Sequence, residues 1–480
     1  MDISDNPSFV PKLLQELQEN FQSQVTKDIA FRKKQLESLL RGHEELMGEF
    51  DVALQKDLGY TPFMSFLQSH ALTITEVKYT LDNFITWTKP TPINTPVLVG
   101  MGDSFVQPEP LGVALVISAW NYPVFLALPF TAVAIAAGNC VVLKPSEFAP
   151  ATSHVLKKLF EKYLDPRFYR CVEGKSEVAK ALTNSKFDII LFTGSTQTGT
   201  LVAQAAAKNL VPCVLELGGK CPVVVDKTAD LAGAAMRIAQ GRFMNSGQIC
   251  VAADHLYIHN SIKKEFLQHL VEQTKALYGN DPQDSGDMGK IVSLEHVKRL
   301  EGYLKENHGG KVLCGGKVFQ NKQFVQPTIV ESPKLDSSLM REEIFGPILP
   351  VFGYDDLQKV IQTINSQPKP LTVYCFTEDE QVKEKLLKQT SSGAFVVNEI
   401  GMHLANPEFP FGGVGKSGYG RYHGKSGFDV CSNPKSVADL KILEMANMRF
   451  PPYTNEKAVR FPLNAASSYG DGKNGKLMIS

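Results

Sequence analysis

The sequence predicts an α/β protein: two doubly wound domains on mostly parallel sheets, with a small extended arm beside them. Three observations carry that reading. A chain of 480 residues is too long for one ordinary core, so two or more domains are expected. Short apolar runs alternate with helical segments, the pattern of βαβ units. That rhythm runs to Gly219 and then starts afresh.

Residues 11–58 space apolar side chains at helical intervals, with Leu13, Leu14, Leu17, Phe21 and Val25 as one stripe, and predict helices. Lys89 to Pro110 carries five prolines and no helical period, so it is expected to be extended, as an arm or an edge hairpin. Strands follow at 111–118, 140–143, 169–172, 188–193 and 212–217, with helices at about 124–137, 152–163, 176–184 and 196–209. The stretch Val124 to Ala137 is shorter than the roughly 20 residues that span a bilayer and reads as a buried helix. The second domain is expected from strands at 222–226, 254–259, 326–330, 348–352, 372–376 and 394–398. Its helices fall at 229–244, 261–277, 293–306, 355–365 and 378–388. Gly279 to Gly289 reads as a surface turn region, and the polar end of the chain as a flexible tail.

Hydrophobic residues at 43% and charged residues at 21% exclude wholesale disorder. Fifty basic residues balance 50 acidic ones, which gives no reason to expect nucleic acid or an anionic membrane as partner. The eight cysteines (140, 171, 213, 221, 250, 314, 375 and 431) show no C-x-x-C pair and read as cytosolic thiols, with no metal site. The first residues lack the basic and apolar regions of a secretion signal.

Gly413-Val414-Gly415-Lys416-Ser417-Gly418 matches the dinucleotide pattern G-x-G-x-x-G. Yet Phe409-Pro410-Phe411 leads in instead of a strand, and Gly420 and Gly424 follow instead of a helix. The hint of a P-loop in Gly415-Lys416-Ser417 fails because Pro410 replaces its first glycine. Both are decoys in a structural loop. Gly194-Ser195-Thr196-Gln197-Thr198-Gly199 has the better context, where backbone N–H groups and a helix dipole favour a pyrophosphate, although an ordinary βα turn is as good a reading. Lys144-Pro145-Ser146-Glu147 follows a strand at an edge where open sheets bind ligands. Its ammonium and carboxylate suit ribose hydroxyls; the bland alternative makes Ser146 a helix N-cap and Glu147 a first-turn acid.

Glu216 interrupts an apolar strand just before two glycines, so it is half of a buried salt bridge or a general base with a raised pKa. Asn121 ends a buried strand and either caps the next helix or donates its amide to an oxyanion. Cys250, in Asn245-Ser246-Gly247-Gln248-Ile249-Cys250, is expected on a turn near the domain junction. No histidine stands beside it, and inert core is the default for any single cysteine.

The order of these segments resembles the aldehyde dehydrogenase superfamily across residues 10–450, with Glu343-Ile344-Phe345-Gly346-Pro347 and Phe409-Pro410-Phe411-Gly412-Gly413 completing the series. The short N-terminal lead, Tyr422-His423-Gly424 and Arg449-Phe450-Pro451-Pro452 are similar to the class 3 and fatty aldehyde branch. The resemblance implies two Rossmann-like domains: NAD(P)-binding over 1–88 and 106–214, catalytic over 215–421. An oligomerisation arm would cover 89–105 and 422–450, and a tail 451–480. It implies that Cys250 attacks the aldehyde as a thiolate, that Asn121 and the Cys250 N–H hold the oxyanion, and that Glu216 activates the water that hydrolyses the thioester. Lys144 and Glu147 would hold the adenine-side ribose, with Gly194 and Ser195 near the pyrophosphate. Trp120, Gly199 and Leu217 would be further cofactor contacts, and Glu343 and Phe345 would position the nicotinamide ribose. Glu147 would repel a 2′-phosphate, which ranks NAD before NADP. The implied enzyme is a cytoplasmic homodimer acting on a medium- or long-chain aliphatic or aromatic aldehyde, without a transmembrane anchor.

Two other enzymes compete. A CoA-acylating dehydrogenase needs no water-activating base, and Glu216 argues against it. A thiol hydrolase without nicotinamide needs a histidine partner for Cys250. A non-catalytic binding protein would have no use for the intact Cys250, Glu216 and Asn121 set.

Overall fold

The computed structural model describes residues 5–96, 99–284, 286–442, 450–455 and 457. Residues 443–449 of the expected arm, with Arg449, and most of the expected 451–480 tail lie outside the described residues.

The apolar runs build two sheets. In the first, Val113–Ile117 pairs in parallel with Cys140–Lys144 on one side and Ile189–Gly194 on the other. Tyr169–Cys171 lies outside Cys140–Lys144, and Cys213–Leu217 outside Ile189–Gly194. Every residue of Val113–Ile117 and Cys140–Lys144 is buried, as a parallel strand with both faces covered requires. The chain winds outward from Val113–Ile117 to one side and then to the other. A crevice therefore opens at the carboxyl ends of Val113–Ile117 and Ile189–Gly194, the usual ligand site of such sheets. Leu128–Ala137 is buried at every position, and Gly138 in the left-handed region ends it.

The second sheet runs in the order Lys311–Cys314, Thr328–Glu331, Ile348–Tyr354, His255–His259, Pro222–Val225, Thr372–Phe376, Ala394–Val397. All its pairs are parallel except the first. Gly218, Gly219, Lys220 and Cys221 link the carboxyl end of Cys213–Leu217 to the amino end of Pro222–Val225. The carboxyl edge of one sheet thus meets the amino edge of the other. A third sheet joins Thr91–Ile93, Gly102–Pro110 and Ser432–Leu440 antiparallel, the last two over nine residue pairs.

Several details differ from expectation. Cys213–Leu217 stays in the first sheet through Leu217, beyond the expected boundary at 214/215, and Gly418–Tyr419 returns to pair with it. The arm strand runs on to Pro110. A short helix, Gly424–Val430, does follow the glycine-rich loop; its glycines hid it, and Gly427 lets it approach Val133 of the buried helix. The strand Lys311–Cys314, four residues at the exposed edge of the sheet, is too short to give a period.

Ser146 is not a helix cap. Its hydroxyl accepts from Phe148 N–H at 3.3 Å, and the next helix starts later, at Pro150. Ala149 at that start offers no side-chain acceptor. Asp57, from the helix Met47–Leu58, supplies it across the domain, accepting from Ala151 N–H at 3.2 Å and from Thr152 N–H and hydroxyl at 2.8 Å. Removing it orphans buried donors, so Asp57→Ala should cost about 1–3 kcal/mol. Urea denaturation measures this; an unchanged midpoint would refute the remote cap.

Candidate active site

The site is built where the two sheet edges meet. Glu216 is the fourth residue of Cys213–Leu217, opposite Gly418 in the neighbouring strand, where a side chain at 418 would strike the Leu215 carbonyl. The glycine-rich loop is therefore structural: it lets a backbone pass close beside the acid. Glu216 is 1% exposed, and neither carboxylate oxygen has a hydrogen-bond partner. The salt-bridge reading fails. Burial pushes Glu216 up to about 8, the Cys250 thiol beside it pulls it down, and the Glu343 charge pushes it up again.

Cys250 sits on a turn, partly buried, after an unusual approach. Asn245, Ser246 and Gly247 all take positive φ, at 51°, 52° and 72°. Two of the three are not glycine, a conformation that persists only where the surroundings impose it. Here they do. Asn245 donates its side-chain amide to the Asn121 carbonyl at 3.0 Å, and Ser246 donates its hydroxyl to the Gly289 carbonyl at 3.1 Å. Gln248 bridges the Lys290 carbonyl and the Val292 N–H, both at 3.0 Å. The expected surface turn Gly279 to Gly289 ends in the bed of this loop, where Met288, Ile291 and Val292 are buried. Asn121 does not cap a helix: its amide donates to the Gln248 carbonyl at 3.0 Å, which ties it to the cysteine loop. Burial pushes the Cys250 thiol up, and the Glu216 and Glu343 charges add to this.

A buried ionic cluster below the loop escaped sequence reading. Asp254 pairs with Lys220 and lies 3.8 Å from Arg242 and 3.7 Å from His255. It also accepts from Ile344 N–H at 3.0 Å. Burial would raise it, but Lys220, His255 and Arg242 hold its carboxyl below the usual range. Lys220 also donates to the Leu339 and Glu342 carbonyls at 2.8 and 2.9 Å, and Arg242 donates to the Gly346 carbonyl. Glu343, between these anchors, packs on Gly218, where any side chain would collide with its carboxylate. Burial raises Glu343 to about 8, the Asp254 charge next, and one of its oxygens is buried without a partner.

The remaining sequence-predicted residues lie at the strand ends of the first sheet and on the loops and helix around them. Ser195 caps the helix Thr196–Ala207, accepting from Thr198 N–H at 3.2 Å, directly after Gly194. The buried Lys144 ammonium donates to Glu147 at 2.5 Å. Gly199 is buried against Leu217, where a side chain would collide, so this pair serves packing of helix on strand. Trp120 meets Phe345 edge-on, ring centres 5.4 Å apart, and His296 at the same separation.

Cys250 forms the end of an apolar cavity of about 150 Å3 lined by Leu72, Phe125, Met244, Ile400, Phe411 and others. Behind its wall, His423 Nδ1 lies 3.1 Å from Glu76, both fully buried. Burial raises Glu76 to about 8 and lowers His423 to about 3. Nothing in the local sequence pairs them: Glu76 stands in a mixed helical stretch, and His423 is marked only within the branch-like Tyr422-His423-Gly424. Among the described residues there is no cluster fit for a metal ion and no helix long and apolar enough to cross a membrane.

The aldehyde dehydrogenase family profile matches residues 12–437. The chain belongs to that family. It is 39% identical to 4,4'-diaponeurosporen-aldehyde dehydrogenase of Staphylococcus aureus over 90% of this chain and 94% of that one. It is 38% identical to the dimeric, NADP-preferring aldehyde dehydrogenase of Rattus norvegicus, over 93% and 98%. The substrate-bound structure of Staphylococcus aureus AldH superposes with a TM-score of 0.90 at 37% identity, covering 96% of this chain and 99% of that one. Other similar structures hold NAD+ or NADP. This aldehyde dehydrogenase oxidises an aldehyde to the carboxylic acid with NAD(P).

Glu76, Glu216 and Glu343 all have carboxyl groups raised to about 8. Each remains protonated in the folded state where the unfolded chain has already released its proton. Buried His43, His403 and His423, held neutral by burial, oppose this below the ordinary histidine value, so folding stability should fall as pH rises from about 6.5 to about 8. Urea midpoints between pH 6.5 and 8 test this. A midpoint that is level or rising across that window contradicts it.

Proposed function

We propose that Cys250 is the nucleophile of this dehydrogenase and Glu216 its base. Asn121 and the Cys250 N–H are the oxyanion donors, and the substrate is a medium- or long-chain aliphatic or aromatic aldehyde. The observation that carries this is the end of the apolar cavity, where a thiol meets an acid with no other partner. An apolar tail fills the cavity and leaves its carbonyl at Cys250. As the thiol sulfur bonds to the carbonyl carbon, its proton passes to Glu216 and the oxygen becomes anionic. Asn121 has one amide N–H committed to Gln248 and a second to offer that oxygen, and the loss of one such donor typically costs about 3 kcal/mol.

Bound NAD(P)+ supplies the two-electron acceptor that converts the thiohemiacetal into a thioester. The crevice suits it. The capped helix start at Ser195 offers N–H groups to a pyrophosphate, Lys144 and Glu147 offer a donor and an acceptor to a ribose, and the unpaired Glu343 oxygen accepts from another ribose hydroxyl. Glu216 gives up the thiol's proton to solvent and, as carboxylate again, takes one from water, whose oxygen attacks the thioester; the C–S bond breaks, and the proton held by Glu216 returns to the Cys250 sulfur. A base with this placement favours hydrolysis over acyl transfer to CoA.

The exposed strand Ser432–Leu440, paired on one side only, supports a homodimer built on the arm, in line with the relative named as dimeric. Eight free cysteines support a reducing compartment such as the cytoplasm.

Cys250→Ala should abolish aldehyde-dependent cofactor reduction. Glu216→Gln should release one equivalent of reduced cofactor in a burst and then stall; steady turnover at the original rate would remove Glu216 from the role. Glu147 should disfavour a 2′-phosphate, which makes NAD the better cofactor. Glu147→Gln should raise kcat/KM for NADP relative to NAD by roughly tenfold, about 1.4 kcal/mol for one close charge pair near the surface. An unchanged ratio places the 2′ position elsewhere.

A further inference from the structure

The helix that walls the cavity is interrupted. Pro62–Ser65 and Ala71–Trp87 are α-helical, but Phe66–His70 between them forms a π-turn, with Ala71 N–H bonded to the Phe66 carbonyl. Such turns are rare and widen the helix by one residue, which redirects the side chains within it. A buried chain of hydrogen bonds fixes this one. His70 Nδ1 pairs with His43 Nε2 at 2.9 Å, and His70 Nε2 pairs with Asp51 at 3.0 Å. The turn presents two residues to the cavity, Leu67 and Gln68. Leu67 is 47% exposed, which sets the turn at the mouth, away from Cys250.

Gln68 is the anomaly. It is 5% exposed, lines a predominantly apolar cavity, and has a buried carboxamide oxygen without a hydrogen-bond partner. The Tyr422 hydroxyl, also unpartnered, interacts with Glu216 and Cys250 and belongs to the reacting end. An unpaired buried amide is costly unless a ligand completes it. A hydroxyl does so fully, since it can donate to the amide oxygen and accept from the amide nitrogen.

We propose that Gln68 is a specificity-determining residue that hydrogen-bonds a hydroxyl on the aldehyde's chain, so that the preferred substrates are hydroxylated aldehydes with an otherwise apolar tail. A plain alkyl chain of the same length leaves the amide unsatisfied and is discriminated against. Sites built to bond a substrate hydroxyl reject the analogue lacking it far more strongly than apolar pockets reject a missing methylene. The π-turn and its histidine strap hold the amide at a fixed distance from Cys250, so only one position of the hydroxyl along the chain can reach it.

This rests on the reading of the cavity as the aldehyde channel, and one experiment separates the two. Cofactor reduction is measured with straight-chain aldehydes bearing a hydroxyl at successive carbons, against the matched alkanals. The wild-type enzyme should favour one hydroxyl position by about tenfold in kcat/KM over its alkanal and over its neighbours in the series. Gln68→Met, which keeps the shape and removes the amide, should erase that preference and raise kcat/KM for the plain alkanal. Activity with no positional preference in the wild-type enzyme, or a preference that survives Gln68→Met, overturns the subsite and leaves the dehydrogenase reading intact. No cofactor reduction with any aldehyde overturns both. The wild-type series decides the matter even if Gln68→Met fails to fold.

Discussion

The buried carboxylate of Asp254 is the point on which the site depends. It stands at the amino end of His255–His259, and Lys220, Arg242 and His255 converge on it. Each belongs to a different part of the machinery: Lys220 to the link between the sheets, Arg242 to the helix before the cysteine loop, and the bonded Ile344 N–H to the loop that carries Glu343. Burying such a charge is expensive, and only the complete set of partners offsets it. The cluster therefore acts less as a source of stability than as a gauge: it admits one arrangement of three loops. Arg242, donating also to Gly346, draws the Glu343 loop against Gly247, where a side chain would strike the Gly346 backbone.

That arrangement explains why the working groups come from opposite sheets. Asn121, Gly194 and Glu216 lie at carboxyl ends in the first sheet, whereas Cys250 and Glu343 lie on loops at the amino edge of the second. Neither sheet alone encloses a thiol beside an unpaired acid. Joined by the four residues Gly218 to Cys221, they exclude water from the acid. The exclusion is what raises Glu216 into the range where a carboxyl exchanges protons near neutral pH.

The sequence reading followed what has a period and missed what depends on contact. Alternating apolar runs gave almost every strand and helix of the two domains within a few residues, because burial on a parallel sheet leaves long apolar signatures. The chemistry of Glu216 was legible for the same reason, as an acid inside such a run. Asp57, Asp254, Glu76 and the bed at 288–292 were not. Their partners lie far away in the chain, and nothing in the local residues distinguishes a surface aspartate from one that caps a distant helix or anchors three loops. Gly279 to Gly289 looks like any polar turn until the cysteine loop is seen to lie on its end. Cys250 itself was chosen by order among motifs and not by its neighbours.

The strained turn at 245–247 completes the logic. Left-handed conformations at the fully buried Asn245 and Ser246 each cost of order 1–3 kcal/mol. They persist because Asn245 and Ser246 donate to the Asn121 and Gly289 carbonyls while Gln248, further along the loop, ties it to Lys290 and Val292. The result is a nucleophile held on a rigid support while the groups it works with, Glu216 and Glu343, are left short of partners. A substrate or cofactor entering such a site meets acids with acceptor capacity to spare, so its own polar groups can complete the structure on binding.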